Sequence, residues 1–245
     1  MNYMDYGDEA VTTVSNPEGT GEFYSASEFA ASVSYGRRIV NWFSFGASAK
    51  YISSNIWHMS ANAIAFDLGV LVTTDFFSPT GKRNQGMKIG MSISNYGTRL
   101  RYDGMDLLVP IDPNPNEYGN FDDVEGLYNT SEWELPLIFR LGFSVQPIYT
   151  NNLRLLVAAD ALHPNNNNES INIGTQLTYL QPGKLNLYLR GGYKGLFLKD
   201  SEYGLTYGGG LRIYLSDFNF FDLDYTYKTM GLLGDVHLYT FKFSF

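Results

Sequence analysis

The C-terminal run from Val236 to Phe245 places a ring at every second position: His237, Tyr239, Phe241, Phe243 and Phe245. Leu238, Thr240, Lys242 and Ser244 stand between them and are mostly polar. A period of two belongs to a strand with one apolar and one wet face, since successive side chains point to opposite sides. It is incompatible with an amphipathic helix. A chain that repeats this pattern can bury its apolar rows only against a second sheet or against hydrocarbon.

The pattern does repeat. Alternation marks strands at 29–36, 43–51, 64–72, 87–94, 137–146, 153–160, 171–179, 185–190, 205–213, 221–228 and 236–245. In 137–146, for example, Leu137, Phe139, Leu141, Phe143 and Val145 oppose Arg140, Gly142, Ser144 and Gln146. That makes about eleven strands, close to the ~9–11 residues that cross a bilayer at a tilt. No segment has a helical period, and no apolar run is long enough for a spanning helix.

The connections alternate in length. Short ones lie near 37–41, 147–151, 181–183 and 215–218, with one of moderate length at 75–85. Longer ones lie at 7–23, 54–60, 98–132, 163–169, 195–203 and 229–234. Outer-membrane barrels have short periplasmic turns and longer external loops. Counting from the C-terminus puts the longer set outside, and the ladder Tyr239, Phe241, Phe243 and Phe245 then has the form of a C-terminal assembly signal. The expected fold is all-β, an antiparallel transmembrane β-barrel in the bacterial outer membrane, forming one domain over 1–245 with a long external loop at about 98–132.

Met1 to Tyr6 has neither the basic region nor the apolar core of a signal peptide. It reads as the outer tail of a further strand. Unpaired backbone in lipid costs several kcal/mol per group. The expectation is therefore that the signal peptide and the strands that close the barrel precede this segment.

Composition narrows the chemistry. The formal charge of −8 argues against nucleic-acid binding, and there is no cysteine for a disulfide or a thiolate site. The three histidines, His58, His163 and His237, are scattered, so no metal site is expected. Gly208-Gly209-Gly210 lacks the following helix and Lys-Ser/Thr pair of a phosphate loop and reads as a place of close strand approach. Asp112, Glu117, Asp122, Asp123 and Glu125 in the long loop lack calcium-loop spacing and read as solvated surface.

The charges on the wet face are the candidate lumen-lining residues: Lys50, Asp67, Lys88, Arg140, Arg154, Asp160, Arg190, Arg212, Asp222, Asp224 and Lys228, with Lys242 beside them. They either tune a channel or pair with one another across a filled interior. Both signs are mixed, which favours pairing. Asp222 and Asp224 share one strand face, but no nucleophile accompanies them, so salt bridges to Arg212 or Lys228 are expected rather than acid–base catalysis. Tyr35, Trp42, Tyr51, Trp57, Trp133, Tyr193, Tyr203 and Tyr239 fall near strand ends, as in aromatic girdles.

The stretch from Gly90 to Gly104 (Gly-Met-Ser-Ile-Ser-Asn-Tyr-Gly-Thr-Arg-Leu-Arg-Tyr-Asp-Gly) resembles one typical of PorV/PorQ-type outer-membrane proteins. So do Asp160 to Asn165, Leu189 to Lys194 and Gly204 to Arg212. The resemblance spans nearly the whole chain and is structural, with no catalytic motif. It implies a FadL-like barrel of about fourteen strands, of which this chain carries about eleven and the tail of another. It also implies a non-enzymatic role, without cofactor, in type IX-like protein export, with external loops docking cargo or partner proteins. The partners would then be outer-membrane lipid, the barrel assembly machinery and secreted or secretion-system proteins. The alternative is a FadL-like transporter or pore for hydrophobic or small solutes, and family likeness alone does not choose between them.

Overall fold

A computed structural model describes residues 1–112, 124–198, 201, 203–216 and 219–244. Its strands are β1 (Asn2–Ala10), β2 (Phe23–Val40), β3 (Phe43–Ile56), β4 (Met59–Thr73), β5 (Lys88–Gly97), β6 (Asp103–Gly104), β7 (Leu108–Ile111) and β8 (Val124–Leu127). They continue with β9 (Ile138–Tyr149), β10 (Leu153–Pro164), β11 (Ser170–Gln181), β12 (Leu185–Leu196), β13 (Leu205–Tyr214), β14 (Phe220–Thr229) and β15 (Asp235–Ser244). Among the described residues there is no α-helix, only single 3₁₀ turns at Arg83–Gln85, Met105–Leu107 and Gly231–Leu233.

The fold is all-β and antiparallel. The strand order is β1-β2-β3-β4-β5-β9-β10-β11-β12-β13-β14-β15, a meander interrupted once. At the interruption β6 pairs with β4, while β7 and β8 form a separate hairpin. Every strand expected from the alternation is present, and most are longer than the alternation suggested.

Several connections differ from expectation: the short turn expected at 37–41 shrinks to Asn41 and Trp42, because Arg37 to Val40 stay in β2, and the stretch expected as a loop at 98–132 contains β6, β7 and β8. Residues 7–10 belong to β1, which pairs with β2 from Asn2↔Ala30 to Ala10↔Phe23. The register shifts between Asp5 and Asp8, where Gly7 adopts φ +79° and donates its N–H to Asp5 Oδ1 at 2.9 Å. Such a bulge breaks the alternation that marks a strand in sequence. The connection expected at 54–60 shrinks to Trp57 and His58, because polar Ser53, Ser54 and Asn55 remain in β3. Trp57 turns the chain at φ +51°, and the His58 N–H is capped by the Asp106 carboxylate at 3.0 Å.

The described chain groups into two compact units. One comprises Met1–Tyr35, Ala47–Asp67 and Asn95–Pro136; the other comprises Gly36–Gly46, Leu68–Ser94 and Leu137–Phe245. In the first, Ala61, Ala63 and Ala65 alternate along one face of β4 and are buried with Leu100 and Leu135. Ile52 and Tyr102 pack against this cluster. The segment 98–132 is thus anchored at its base: Leu100 and Trp133 exchange backbone hydrogen bonds, and Tyr102 stacks on Trp133 at 5.3 Å. Small alanines on β4 leave the space that Leu100 fills, and burying one leucine contributes about 1.5–3 kcal/mol.

In the second unit the two faces of β10 to β15 separate by composition. One row across the sheet reads Leu155, Leu177, Leu189, Gly209, Tyr225 and Tyr239; the next reads Leu153, Tyr179, Leu187, Leu211, Leu223 and Phe241. The opposite face carries the charged and amide side chains.

Candidate functional site

The polar face of the second unit is built from strand register. Leu180, Asn186, Arg212, Asp222 and Lys242 lie across from one another on β11 to β15. The next row is Arg154, Thr178, Tyr188, Gly210, Asp224 and Thr240. Because side chains alternate, each row delivers its polar groups to the same side.

Arg212 and Asp222 form a bidentate pair, Nε to Oδ1 at 2.6 Å and an Nη to Oδ2 at 2.8 Å. The guanidinium also lies 4.1 Å from the Phe220 ring. Parallel paired donors and acceptors make this the strong form of the interaction. The expected Asp222–Arg212 bridge is therefore present. Asp224 takes a different partner from the one expected: it accepts from Arg190, while Lys228 stands 5.4 Å from the Tyr203 ring. Arg190 also donates to Gln176 Oε1 at 2.9 Å. Its reach over β13 is possible because Gly208 and Gly210 stand there; a Cβ at Gly210 would collide with the Asp224 carboxylate.

The remaining candidates fall into two groups. In the first unit Lys50 pairs with Asp67 at 2.8 Å, and Asn95 closes the triangle. Asn95 accepts from Lys50 Nζ at 2.6 Å and donates its backbone N–H to Asp67 at 2.8 Å. In the second unit Asp160 occupies the space over Gly142, where a Cβ would collide with its carboxylate. Lys88 faces Ser144, and Arg140 faces Ser92 and Leu162. Among the described residues Lys88, Arg140, Arg154 and Asp160 make no salt bridge. Lys242 lies opposite Asp222 and 5.6 Å from the Phe220 ring.

Beside the turn joining β11 and β12 the polar face opens into a cavity of about 550 Å³. Gln146, Arg154, Gln176, Asn186, Tyr188 and Tyr214 line it. Arg154 stacks its guanidinium 4.5 Å from the Tyr149 ring, yet its buried Nε has no hydrogen-bond partner, nor has the buried Oε1 of Gln146. Asn186 Nδ2 donates to the hydroxyl oxygens of Tyr188 and Tyr214 at 3.3 and 3.0 Å. Gln146, Gln176, Asn186, Tyr188 and Asn95 lie outside the charge-based list of candidates. For the first four the signal was their position on the wet side of alternating strands, which charge alone does not reveal; Asn95 carried no such signal, since it has the parity of Met91 and Ile93 and departs from it only through its left-handed backbone, φ +64°.

The aromatic ladder of β15 lies on the other face. Tyr239, Phe241 and Phe243 are 62 %, 68 % and 56 % exposed, with Tyr239 stacked on Tyr225 at 5.2 Å and Phe241 beside Phe221 at 6.5 Å. Phe245 lies outside the described residues, as do Glu117, Asp122 and Asp123 of the acidic loop. Among the described residues no three His, Asp or Glu side chains cluster to hold a metal.

No protein-family model matches the chain, and no curated protein matches it either. Two solved structures align over most of it. One is the CymD monoaromatic hydrocarbon channel, at 9 % identity and a TM-score of 0.49, covering 91 % of this chain and 73 % of that one. The other is the Ralstonia pickettii toluene transporter TbuX, at 10 % identity and a TM-score of 0.49, covering 92 % of this chain and 68 % of that one.

Proposed function

We propose that this chain is an outer-membrane β-barrel protein that passes small or hydrophobic solutes along its polar face. The observation that carries the reading is an inverted distribution of burial. Asp222 is 8 % exposed, whereas Phe241, Leu189 and Tyr239 are 68 %, 66 % and 62 % exposed. Water-soluble proteins bury large apolar side chains and leave carboxylates outside. Strands that turn aromatics outward and paired charges inward suit a hydrocarbon exterior and a wet interior. Lys50, Asp67, Lys88, Arg140, Arg154, Asp160, Arg190, Arg212, Asp222, Asp224 and Lys228 are then lumen groups. Outer-membrane lipid and the barrel assembly machinery are the partners this location requires.

Liposome swelling tests it. Vesicles carrying the protein are expected to admit small solutes faster than empty ones, and Arg190→Glu is expected to alter the rate for charged solutes. Vesicles as tight as protein-free controls would overturn the reading.

A second reading, a docking component of type IX-like export of the PorV/PorQ kind, draws on a separate observation. The β7–β8 hairpin exposes Leu108, Ile111, Val124 and Leu127, at 46 %, 43 %, 49 % and 56 %. An apolar hairpin is a surface that a protein partner can cover. Deleting 105–128 is expected to abolish surface retention of cargo in cells; unchanged secretion would remove this reading.

A further inference from the structure

The cavity beside the β11–β12 turn gathers a positive charge and hydroxyl groups without a carboxylate among its lining residues. Arg154 is permanently charged. Among the described residues it has no carboxylate partner, and its buried Nε donates to nothing. Arg212, by contrast, is neutralised by Asp222 through two bonds. Tyr188 and Tyr214 each accept from the Asn186 amide, so each keeps its own O–H to donate into the open volume. The Gln146 amide has an unpaired oxygen and can turn to present its NH₂ group instead. Leu156 and Leu180, on the polar side of β10 and β11, supply the apolar part of the lining.

A guanidinium without a counter-ion, next to hydroxyl donors and leucines, is chemically complementary to a carboxylate on a compact apolar body. We infer that this cavity is a binding site for small organic carboxylates, held by Arg154 with Tyr188 and Tyr214 as supporting donors. The inference rests on the channel reading, for which it names the solute class. Arg154 matches the planar carboxylate with a forked pair of N–H groups, and its guanidinium carbon, 4.5 Å from the centre of the Tyr149 ring, is held by that contact. A neutral solute of the same shape would cover the guanidinium without supplying a counter-charge. That difference is the physical basis for discrimination.

The full chain is refolded into nanodiscs and titrated by calorimetry with benzoate and with its neutral analogue benzyl alcohol. Benzoate is expected to bind at least about tenfold more tightly, which is about 1.4 kcal/mol. Arg154→Gln is expected to remove that preference, and Arg154→Lys to retain part of it. Inorganic phosphate is the competitor, and it is expected to displace benzoate only weakly. Equal affinity for benzoate and benzyl alcohol, or a preference that survives Arg154→Gln, would overturn the inference. So would displacement by phosphate as effective as by benzoate itself. Should Arg154→Gln fail to fold, the comparison of two ligands on the unaltered protein decides alone. These results are separable from the channel reading, since vesicle permeability does not depend on which solute is held.

Discussion

Arg190 on β12 grips Asp224 on β14 across the intervening strand, over the two glycines that β13 places in the gap. The pair is partly shielded, with side chains 38 % and 28 % exposed, and it is joined to β11 through Gln176. A single guanidinium therefore links β11, β12 and β14, crossing β13 without bonding to it.

The two glycines should respond differently. A Cβ at Gly208 would meet the backbone oxygen of Tyr225, whereas one at Gly210 would meet only the movable Asp224 carboxylate and, at 3.3 Å, the Tyr188 ring. Gly208→Ala is expected to be the costlier change, about 1–3 kcal/mol, because backbone has to move. Gly210→Ala is expected to act through the ion pair, so its effect should shrink in an Asp224→Asn background. Urea unfolding in micelles measures both, and additive effects at Gly210 and Asp224 would contradict the shared mechanism.

Asn95 combines a left-handed backbone, φ +64°, with hydrogen bonds to Lys50, Asp67 and the Pro136 carbonyl. Asn95→Ala is expected to lose about 1–3 kcal/mol, through the side-chain bonds and the strained φ together. Asn95→Gly relieves the backbone alone and is expected to recover only part of the loss. Equal stability of the glycine variant and the parent would show that the side chain contributes nothing.

Leu100 is 7 % exposed and packs on the alanine face of β4. Leu100→Ala is expected to cost about 2–5 kcal/mol locally and to loosen the 98–132 segment at its base. Hydrogen exchange at the Leu100 and Trp133 amides, which bond to each other's carbonyls, reads this directly. Unchanged protection there would contradict the anchoring role.

Glu169 lies outside the strands, in the connection between β10 and β11. A backbone N–H first, and then His163 at 3.1 Å, hold its carboxyl below the usual carboxylate range. A depressed folded-state value means the interaction contributes above the unfolded value and is lost as pH falls through the folded one. A carbon-13 titration of Glu169 should show the low midpoint. His163→Gln should raise it only partway, since the backbone bond, the first of the causes, remains.

Strand 137–146 was legible because its large apolar residues alternate with polar or small ones from Phe139 to Gln146, and β9 contains all but its first residue. β1 was legible only in part, since its bulge between Asp5 and Asp8 switches the face on which side chains appear. β3 was underestimated because Ser53, Ser54 and Asn55 have a loop-like composition while staying hydrogen-bonded in the sheet. The Asp222–Arg212 pair was legible because the two residues flank one short turn. The partner of Asp224 was not, since Arg190 lies two strands away.

The order of residues alone determined that this chain forms antiparallel strands with one oily and one polar side, because side-chain alternation is a property of each strand by itself. Which polar groups meet was decided only by tertiary structure. Strand register and the empty space over Gly208, Gly210 and Gly142 select the partners, and both arise from pairing between segments far apart in the chain. The same register brings Arg154, Tyr188 and Tyr214 around one cavity and leaves a buried guanidinium nitrogen unmatched.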